Sequence, residues 1–442
     1  MNARACAYKQ SKIGTPWWWV PTLYFAEGIP YFLVNSISVM LFTKMGVPNG
    51  TMALFTSLLY LPWVIKPLWS PIVDVLRTKR WWIICTEVLL SLAFIGLTLS
   101  MPHPSAETIA EGQTSIQLFN WMLILFWITA FASATHDVAA DGYYMLALED
   151  KPRSFFVGIR SLFYRLSSVF GQGGLIALAG LIELRTGNIP MAWQLTLLVA
   201  AALFTVLTIW HIWRLPRVEQ TDETKETNLK EIGRNILHSF TTFFSKPGIL
   251  LALAFMLLYR LPEAFLVKML TPFLVQAPEV GGLGLSTASV GLIYGTIGVI
   301  CLSIGGILGG FYAAHFGLKR SMLLMVLAIN IPDVLYWLLS LYLPLNPIWV
   351  TIAVAVEQFG YGFGFTAYML YLMYFAEGAY STSHYALATG FMALGMMLPG
   401  LVAGYMQQAV GYPMFFAIVL FCCLISIAIA LLTARKIPTQ KS

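Results

Sequence analysis

The chain has 442 residues, of which 58% are hydrophobic and 10% are charged, and it carries a net charge of +6. An average soluble chain is about 25% charged, so too few polar side chains are present here to cover a soluble surface. This composition excludes a soluble enzyme and a nucleic-acid-binding protein. The content of 14% aromatic residues also excludes a disordered chain.

Long apolar segments follow one another along the whole chain. A helix crosses the hydrocarbon core with about 20 apolar residues, and twelve segments reach that length. In chain order they are residues 17–43, 51–73, 81–101, 118–148, 154–183, 191–214, 248–276, 286–314, 319–343, 347–375, 380–408 and 411–434. The sequence therefore predicts an all-α membrane protein with twelve transmembrane helices, which are numbered here as spans 1 to 12.

One long polar stretch, residues 215–247, separates the first six spans from the last six. It predicts an N-terminal six-helix bundle over residues 1–214, a cytoplasmic linker, and a C-terminal six-helix bundle over residues 248–442. Residues 228–244, within the linker, are expected to form an amphipathic surface helix.

The positive charges are distributed unequally between the two sides of the membrane. With the N-terminus placed inside, the inner segments hold 19 Lys and Arg residues, whereas the outer segments hold only Lys44 and Arg185. Cytoplasmic loops carry an excess of Lys and Arg, so both termini are predicted to be cytoplasmic. The first apolar run is long and lacks a cleavage pattern, which predicts an uncleaved membrane helix.

The two halves of the sequence resemble each other weakly. Residues 70–80 follow the second span and residues 310–320 follow the eighth, and both segments end in Lys-Arg. Twelve spans in two related halves, with a basic loop after span 2, resemble the major facilitator superfamily, which implies two pseudo-symmetric six-helix bundles. The resemblance also implies a cytoplasmic gate at Asp74, Lys79 and Arg80. The alternative is that these three residues form a solvated turn and an orientation signal.

Several carboxylates lie near the middle of predicted spans. A charge at bilayer depth costs several kcal/mol unless it faces protein or water, so each is a functional candidate. The candidates for proton coupling are Glu27, Asp137, Asp141, Glu263 and Glu357. The resemblance implies that spans 1, 4, 7 and 10 line a central cavity, which these residues would face. The alternative for each carboxylate is a buried ion pair that orders helices without titrating in a transport cycle.

The carboxylates of spans 1 and 7 occupy corresponding positions, Glu27 and Glu263, each next to a proline. No cation lies within four residues of Glu27, whereas Arg260 precedes Glu263 by three residues on the same helical face. We therefore predict that Glu27 titrates and that Glu263 is structural or orients the substrate. Coupling through Asp137 and Asp141 remains the alternative.

The two aspartates of span 4 are one helical turn apart, so their charges repel each other unless a cation intervenes. We expect at least one of Asp137 and Asp141 to contact Arg165 or Lys66, or to share a proton.

Other polar residues inside the spans are given structural roles. Glu87 and Asp333 lie on spans 3 and 9, which are peripheral in the superfamily, and His136 is expected only to form a hydrogen bond. Arg160 and Lys268 are expected to extend toward the aqueous interfaces. The sequence has no phosphate-binding loop, metal-ligand cluster or catalytic triad, so we expect no cofactor, no metal and no enzymatic activity.

Motifs along the whole chain resemble one branch of the superfamily, the AmpG-type muropeptide permeases of the peptide–acetyl-coenzyme A transporter family. The motifs are FAEGIP at 25–30, KPLWSPIVD at 66–74, THDVAADG at 135–142, YRL at 164–166 and the stretch 357–364 with its glycines. The resemblance implies proton symport, by alternating access, of an anhydromuropeptide or a related amino-sugar saccharide into the cell. It also implies a location in the inner, cytoplasmic membrane of a bacterium.

A substrate of this kind presents sugar faces and carboxylates. Sugars are bound by aromatic rings and amides, and carboxylates by buried cations. The candidates for the sugar are Tyr24, Tyr31, Asn35, Trp63, Tyr143, Gln172, Tyr259, Gln358 and Tyr361. The candidates for the carboxylate are Lys66, Arg165 and Arg260.

Other functions remain open from the sequence. Siderophore permeases share much of the pattern in spans 1, 2 and 4, so a ferric siderophore or another saccharide is the alternative substrate, and export is an alternative direction. A membrane enzyme or a sensor would not need two related halves and would need a catalytic cluster. We expect a monomer whose partners are the small-molecule substrate, protons and the lipid bilayer, without nucleic acid.

Overall fold

The computed structural model describes residues 16–148, 150–218, 229–378 and 380–438. Every regular element within these ranges is a helix, and ten helices are long and apolar enough to cross a membrane. The predicted all-α membrane fold is therefore confirmed.

The helix bounds follow the predicted spans closely. Spans 1 to 6 are Pro16–Lys44, Asn49–Val73, Lys79–Leu99, Ile116–Ala147, Gly158–Thr186 and Ile189–Arg214. Span 7 is Ile249–Val275 and span 10 is Pro347–Ala376. The remaining two helices, Thr287–Tyr342 and Ser381–Lys436, have 56 residues each. A straight helix of that length would measure about 84 Å, far more than the hydrocarbon core of about 30 Å.

The first of these two long helices reverses direction at Gly317, where φ is 75°. Before the reversal, Gly305 packs so tightly on the carbonyl of Phe359 that no Cβ would fit. After the reversal, the carbonyl of Ala328 approaches Gly360 in the same way. Because adjacent residues of span 10 contact both arms, the arms are antiparallel and form spans 8 and 9.

The second long helix reverses direction at Gly411, where φ is 73°. Gly395 packs against the backbone of Leu257 before the reversal. Ser426 Oγ donates a hydrogen bond of 2.5 Å to the carbonyl of Tyr259 after it. Both arms therefore reach the same level of span 7 and form spans 11 and 12. With the arms counted separately, the ten helices contain twelve membrane-length stretches in the described part of the chain.

The linker contains a helix, Leu229–Phe244, as predicted for its second part. Its buried Phe243 stacks on Phe391 of span 11 with ring centroids 6.2 Å apart. Thr242 Oγ1 also lies 3.1 Å from His384 Nε2, so the linker helix is fixed to the inner end of span 11. The division of the chain into two bundles and a linker stays a prediction.

The apolar core is continuous at one end of the molecule and divided at the other. At the outer end, one cluster includes Phe42 of span 1 and Phe273 of span 7, so both halves contribute to it. At the inner end, Trp19 belongs to a cluster of the N-terminal half, and Phe255 belongs to a separate cluster of the C-terminal half. The halves thus share one apolar cluster at the outer end and have separate clusters at the inner end.

Candidate functional site

Two adjoining cavities lie between the halves, each within the range of about 300–1,000 Å³ that is typical of small-molecule sites. The arginine cavity, of about 590 Å³, contains Arg165 and Glu263, and the carboxylate cavity, of about 580 Å³, contains Glu27, Asp137 and Asp141. The residues that form part of both walls are Tyr31, Tyr60, Tyr164, Arg260, Met392 and Met396. Because they share this wall, one elongated ligand can occupy both.

Both cavities open at the inner end. The arginine cavity extends to Met373 of span 10, which is 46% exposed, and the carboxylate cavity extends to Met145 of span 4, which is 57% exposed. This is the end at which the charge distribution predicts the cytoplasm. With the predicted orientation, this arrangement corresponds to an inward-open form.

A network of neutral side chains closes the outer side. Asn49 of span 2 donates to Gln407 Oε1 at 2.8 Å and to Gln276 Oε1 at 3.2 Å. Gln276 donates back to Asn49 Oδ1 at 3.0 Å, and the Tyr412 hydroxyl donates to Gln276 Oε1 at 2.5 Å. Since Asn49 comes from the first half and its partners come from the second, this outer network joins the halves.

Three spans widen into π-helical turns beside the cavities. They are Leu33–Ile37 in span 1, Val169–Leu175 in span 5 and Ile293–Gly298 in span 8. Such turns are rare and are frequent at functional sites. They place four polar residues in the wall of the arginine cavity, which are Asn35, Ser36, Gln172 and Tyr294.

The carboxylate cavity contains the central ion pair of the site. Lys66 Nζ of span 2 binds Asp137 Oδ2 of span 4, which confirms the expectation that a cation contacts one of the two aspartates. The carboxyl group of Glu27, only 8% exposed, lies close to that of Asp137 in the wall of the same cavity. Two neighbouring buried carboxyl groups cannot both be ionised without strong repulsion, so this pair can hold one shared proton.

The second aspartate has a different cation. Asp141 Oδ1 lies 2.9 Å from Arg160 Nη2 and accepts a hydrogen bond of 3.1 Å from the Tyr24 hydroxyl. The Arg160 guanidinium lies 4.5 Å above the centre of the Tyr24 ring. The expectation that Arg160 extends to the aqueous interface is therefore wrong, because Asp141 and this ring hold it beside the cavity.

Arg260 does not pair with Glu263 as the spacing predicted. Span 7 is interrupted at Arg260, where φ is −104° and ψ is 18°, just before Pro262. Residues 260 and 263 therefore do not share a regular helical face. Arg260 instead donates to the Tyr361 hydroxyl at 2.5 Å and lies 4.9 Å from the centre of the Phe365 ring. No carboxylate forms an ion pair with Arg260 in the described residues, so its charge is available to a ligand.

Arg165 lies in the wall of the arginine cavity, where a cation was expected. Its Nη1 donates to Ser303 Oγ of span 8 at 3.0 Å. Gly306 of the same span gives it room, since a Cβ there would lie 3.3 Å from Arg165 Nη2. The cavity thus holds two guanidinium groups, one from each half.

Five other predicted residues line the cavities. Trp63 and Lys66 lie in the wall of the carboxylate cavity. Asn35, Gln172 and Gln358 lie in the wall of the arginine cavity.

Four predicted residues face neighbouring helices instead of a cavity. The Tyr143 hydroxyl donates to the Pro216 carbonyl at 2.7 Å, and the Tyr259 hydroxyl donates to the Gly364 carbonyl at 2.9 Å. Backbone carbonyls on adjacent segments thus draw both phenols away from the cavities. The other two are Tyr24, which supports Asp141, and Glu357, whose Oε2 accepts from Tyr336 at 3.2 Å and from Gln358 at 2.9 Å.

The predicted inner gate is only partly described. Lys79 is buried, and its Nζ donates to the Val73 carbonyl at 3.1 Å. Arg80 Nε donates to the Leu215 carbonyl at 2.8 Å, at the end of span 6. Asp74 lies outside the residues whose side chains are described. A gating role for these three residues stays a prediction.

Two wall residues of span 5 were missed by sequence reasoning. Tyr164 and Ser168 line the arginine cavity eight and four residues before the predicted Gln172, and Arg160 continues that row toward the inside. The helical period of span 5 would have revealed them.

Lys268 was misplaced because its distance from the end of span 7 suggested an exposed ammonium group. It is only 2% exposed, donates to Thr56 Oγ1 at 3.2 Å and lies 5.0 Å from the centre of the Tyr60 ring. It therefore links span 7 to span 2.

Comparisons with known proteins agree with this architecture. The family model described as Major Facilitator Superfamily matches residues 22–392. The Anhydromuropeptide permease of Escherichia coli (strain K12) is 27% identical over 399 residues, which are 89% of this chain and 74% of the permease. The Putative transporter AmpG 4 of Rickettsia conorii is 22% identical over 420 residues, which are 93% of this chain and 94% of that protein.

Solved structures of other transporters have the same fold. The nucleoside transporter NupG superposes with a TM-score of 0.61 at 15% identity, covering 95% of this chain and 98% of that one. The inward open form of the xylose transporter XylE from E. coli superposes with a TM-score of 0.67 at 12% identity, covering 96% of each chain.

Proposed function

Because this chain belongs to the major facilitator superfamily, we propose that it imports an anhydromuropeptide or a related amino-sugar saccharide by proton symport. The relative with that substrate in its name aligns with 89% of this chain. A bacterial inner membrane with both termini in the cytoplasm fits this function. The observation that carries the proposal is that the buried Glu27 and the Lys66–Asp137 ion pair lie in the wall of one cavity.

The proton is carried by this carboxyl pair. When Glu27 is protonated, it donates its hydrogen to Asp137, and Lys66 neutralises the remaining negative charge. When the proton leaves toward the inner side, two carboxylates remain in contact beside one ammonium group. Their repulsion favours a rearrangement of spans 1 and 4, which is how proton release drives the conformational cycle.

The substrate is bound mainly in the arginine cavity. A carboxylate on the saccharide pairs with Arg260 and Arg165, because guanidinium groups bind carboxylates with two parallel hydrogen bonds. Aromatic rings in the shared wall pack against sugar faces, and the amides of Asn35, Gln172 and Gln358 bind hydroxyl groups. An adjoining peptide extends into the carboxylate cavity, which lies across the shared wall.

Alternating access follows from the two different ends of the molecule. The outer network and the continuous apolar core close the outer side, and the separate inner cores leave the inner side open. The cycle requires the outer hydrogen bonds to break while the inner ends of the halves approach each other. The substrate then enters from the outside and leaves toward the cytoplasm.

Uptake into proteoliposomes with and without a pH gradient tests this proposal. The substrates are an anhydromuropeptide, its sugar portion, a neutral disaccharide and a ferric siderophore. We expect accumulation of the first two only when the outside is more acidic. Accumulation of the siderophore alone, or equal accumulation without a gradient, would contradict the proposal.

Glu27→Gln is the variant that tests the coupling step. We expect it to lose accumulation driven by the pH gradient while it keeps counterflow exchange, because a neutral amide cannot release a proton. Glu107→Gln, on the exposed outer segment before span 4, is the matched control and should leave both activities unchanged. If Glu27→Gln accumulates substrate normally and Asp137→Asn does not, the proton is carried by span 4 without Glu27.

A further inference from the structure

A buried polar cluster lies directly behind the coupling aspartate. Glu87 Oε1 of span 3 is 3.1 Å from His136 Nε2 of span 4 and 2.7 Å from His211 Nδ1 of span 6. All three residues are fully buried, and these two histidines are the ionisable side chains that contact Glu87 in the described part of the chain. The cluster does not line either cavity, so it is distinct from the coupling pair.

The hydrogen-bond donors in this cluster can be assigned from its partners. A carboxylate oxygen only accepts hydrogen bonds, so His211 Nδ1 and His136 Nε2 both donate to Glu87 Oε1. The second ring nitrogen of His211, Nε2, lies 3.0 Å from the Thr22 hydroxyl of span 1. Glu87 is thus held by span 6 and gives His136 Nε2–H a fixed acceptor.

The ion pairs of Asp137 and Asp141 act on the cavity face of span 4. On its back face, span 4 has little else at this level to fix its rotation about its own axis. The buried positions between Thr129 and Tyr143 are occupied by His136 and otherwise by small side chains. These small residues are Ala130, Ala132, Ser133, Ala134, Ala139 and Ala140. Alanine methyl groups pack smoothly and do not define one angle of rotation, whereas the imidazole of His136 reaches Glu87.

The rotation of span 4 decides where Asp137 points. Successive helical residues are separated by about 100°, so His136 on the back face places Asp137 toward the cavity. A rotation of about 30° would move a carboxylate by about 3 Å, given its distance from the helix axis. That displacement would separate Asp137 from both Lys66 and Glu27.

We propose that Glu87, held by His211, anchors His136 and thereby aims Asp137 and Asp141 into the carboxylate cavity. These three residues are positioning residues, because they contact the helix that carries the coupling group and not the substrate. The inference rests on the proposed function, in which Asp137 takes part in proton coupling.

A matched pair of substitutions at His136 tests this role. The amide nitrogen of His136→Gln can occupy the position of Nε2 and donate to Glu87, whereas that of His136→Asn is one methylene too short. We expect His136→Gln to keep accumulation driven by the pH gradient within about twofold, and His136→Asn to lower it at least tenfold. Counterflow exchange should change little in either variant, which a general loss of folding would not produce.

Combination with Asp137→Asn separates positioning from stability. If His136 acts through Asp137, His136→Asn should cause no further loss of accumulation in the Asp137→Asn background. An equal loss in both backgrounds, failure of His136→Gln to restore accumulation, or normal accumulation by His136→Asn would overturn the inference.

A structural measurement keeps this test separate from the test of coupling. Val138→Cys lies in the wall of the carboxylate cavity, and its labelling by a water-soluble maleimide from the inner side reports the rotation of span 4. With the five natural cysteines replaced, labelling should change at least threefold in His136→Asn and stay the same in His136→Gln. If coupling through Asp137 fails but this difference is found, the anchor is supported and the proposed function is not. Equal labelling in both variants overturns the anchor.

Discussion

The outer network should set the balance between the two end states of transport, and Asn49→Ala should shift it. A fifth bond of the network runs from the Asn49 amide to the Tyr412 hydroxyl at 3.3 Å, so Asn49 participates in four of the five. Its amide has two hydrogens and one carbonyl oxygen, so three of these bonds can exist at one time. A net hydrogen bond contributes about 0.5–1.5 kcal/mol, which gives about 1.5–4.5 kcal/mol.

Part of this energy is recovered in the variant, because water hydrates the partners of Asn49 when the outer side opens. We therefore expect a shift of about 1.5–3 kcal/mol toward the outward-open form, which is about 10- to 150-fold in the equilibrium. Substrate accumulation should fall as well, because the return to the inward-open form becomes slower.

Labelling of a cysteine from outside the cell measures this shift. Ser36→Cys lies in the wall of the arginine cavity beneath the outer network, and an impermeant maleimide reaches it only when the outer side opens. In a background without the natural cysteines, Asn49→Ala should increase its labelling rate by at least tenfold. Asn346→Ala is the control. Asn346 Oδ1 accepts a hydrogen bond of 3.0 Å from the backbone N–H of Ile348 at the exposed start of span 10, outside the outer network. Unchanged labelling in Asn49→Ala, or an equal increase in Asn346→Ala, would refute this reasoning.

Two further substitutions test packing and substrate charge. Gly180→Ala should destabilise the protein by about 1–3 kcal/mol and lower its melting temperature in detergent, because the new Cβ would overlap the backbone of Ala288. Gly158→Ala is its control, because a Cβ at Gly158 would have no other atom within 4 Å. Equal melting temperatures of the two variants would contradict this packing. Arg260→Gln should raise the KM for an anionic saccharide by about 10- to 150-fold, because a charge-assisted hydrogen bond of about 1.5–3 kcal/mol is lost. Competition by a neutral saccharide should not change, and an equal loss for both saccharides would contradict a role in charge recognition.

The fold was largely predictable from the sequence because its determinants are local. Each span needs about 20 apolar residues. Each of the two long helices is far longer than one crossing of the bilayer requires, so the sequence could be divided into two spans at each place. The same applies to the amphipathic linker helix, whose period is visible in Leu229–Phe244. The reversals at Gly317 and Gly411 follow from positive φ values that glycine adopts easily.

The site was less predictable because it depends on rotation and on interruptions within the spans. Arg260 was assigned to Glu263 on the assumption of a continuous helix, but its φ of −104° breaks that relation. Tyr143 and Tyr259 were placed near the cavity from their depth alone, and depth does not specify the side of the helix. The carbonyl groups of Pro216 and Gly364 that bind them come from other segments.

The Lys66–Asp137 pair could be predicted because only a few cations lie at that depth of the membrane. The placement of Glu27 close to Asp137 could not be predicted, because two carboxylates are expected to avoid each other. Only their burial in one wall, with Lys66 beside them, makes a shared proton a reasonable arrangement.

The charge distribution between the two cavities suggests how a proton and an anionic saccharide influence each other. The carboxylate cavity contains Glu27 and two aspartates, and the arginine cavity contains Arg165, with Arg260 in the wall that they share. A substrate carboxylate at Arg260 is repelled by the neighbouring carboxylates, and a proton on the Glu27–Asp137 pair reduces that repulsion. Linkage is reciprocal, so the bound anion must hold the proton more tightly by the same factor. In the proposed cycle, release of the saccharide to the cytoplasm therefore weakens proton binding in the adjoining cavity. The saccharide then leaves before the proton, without any direct contact between them.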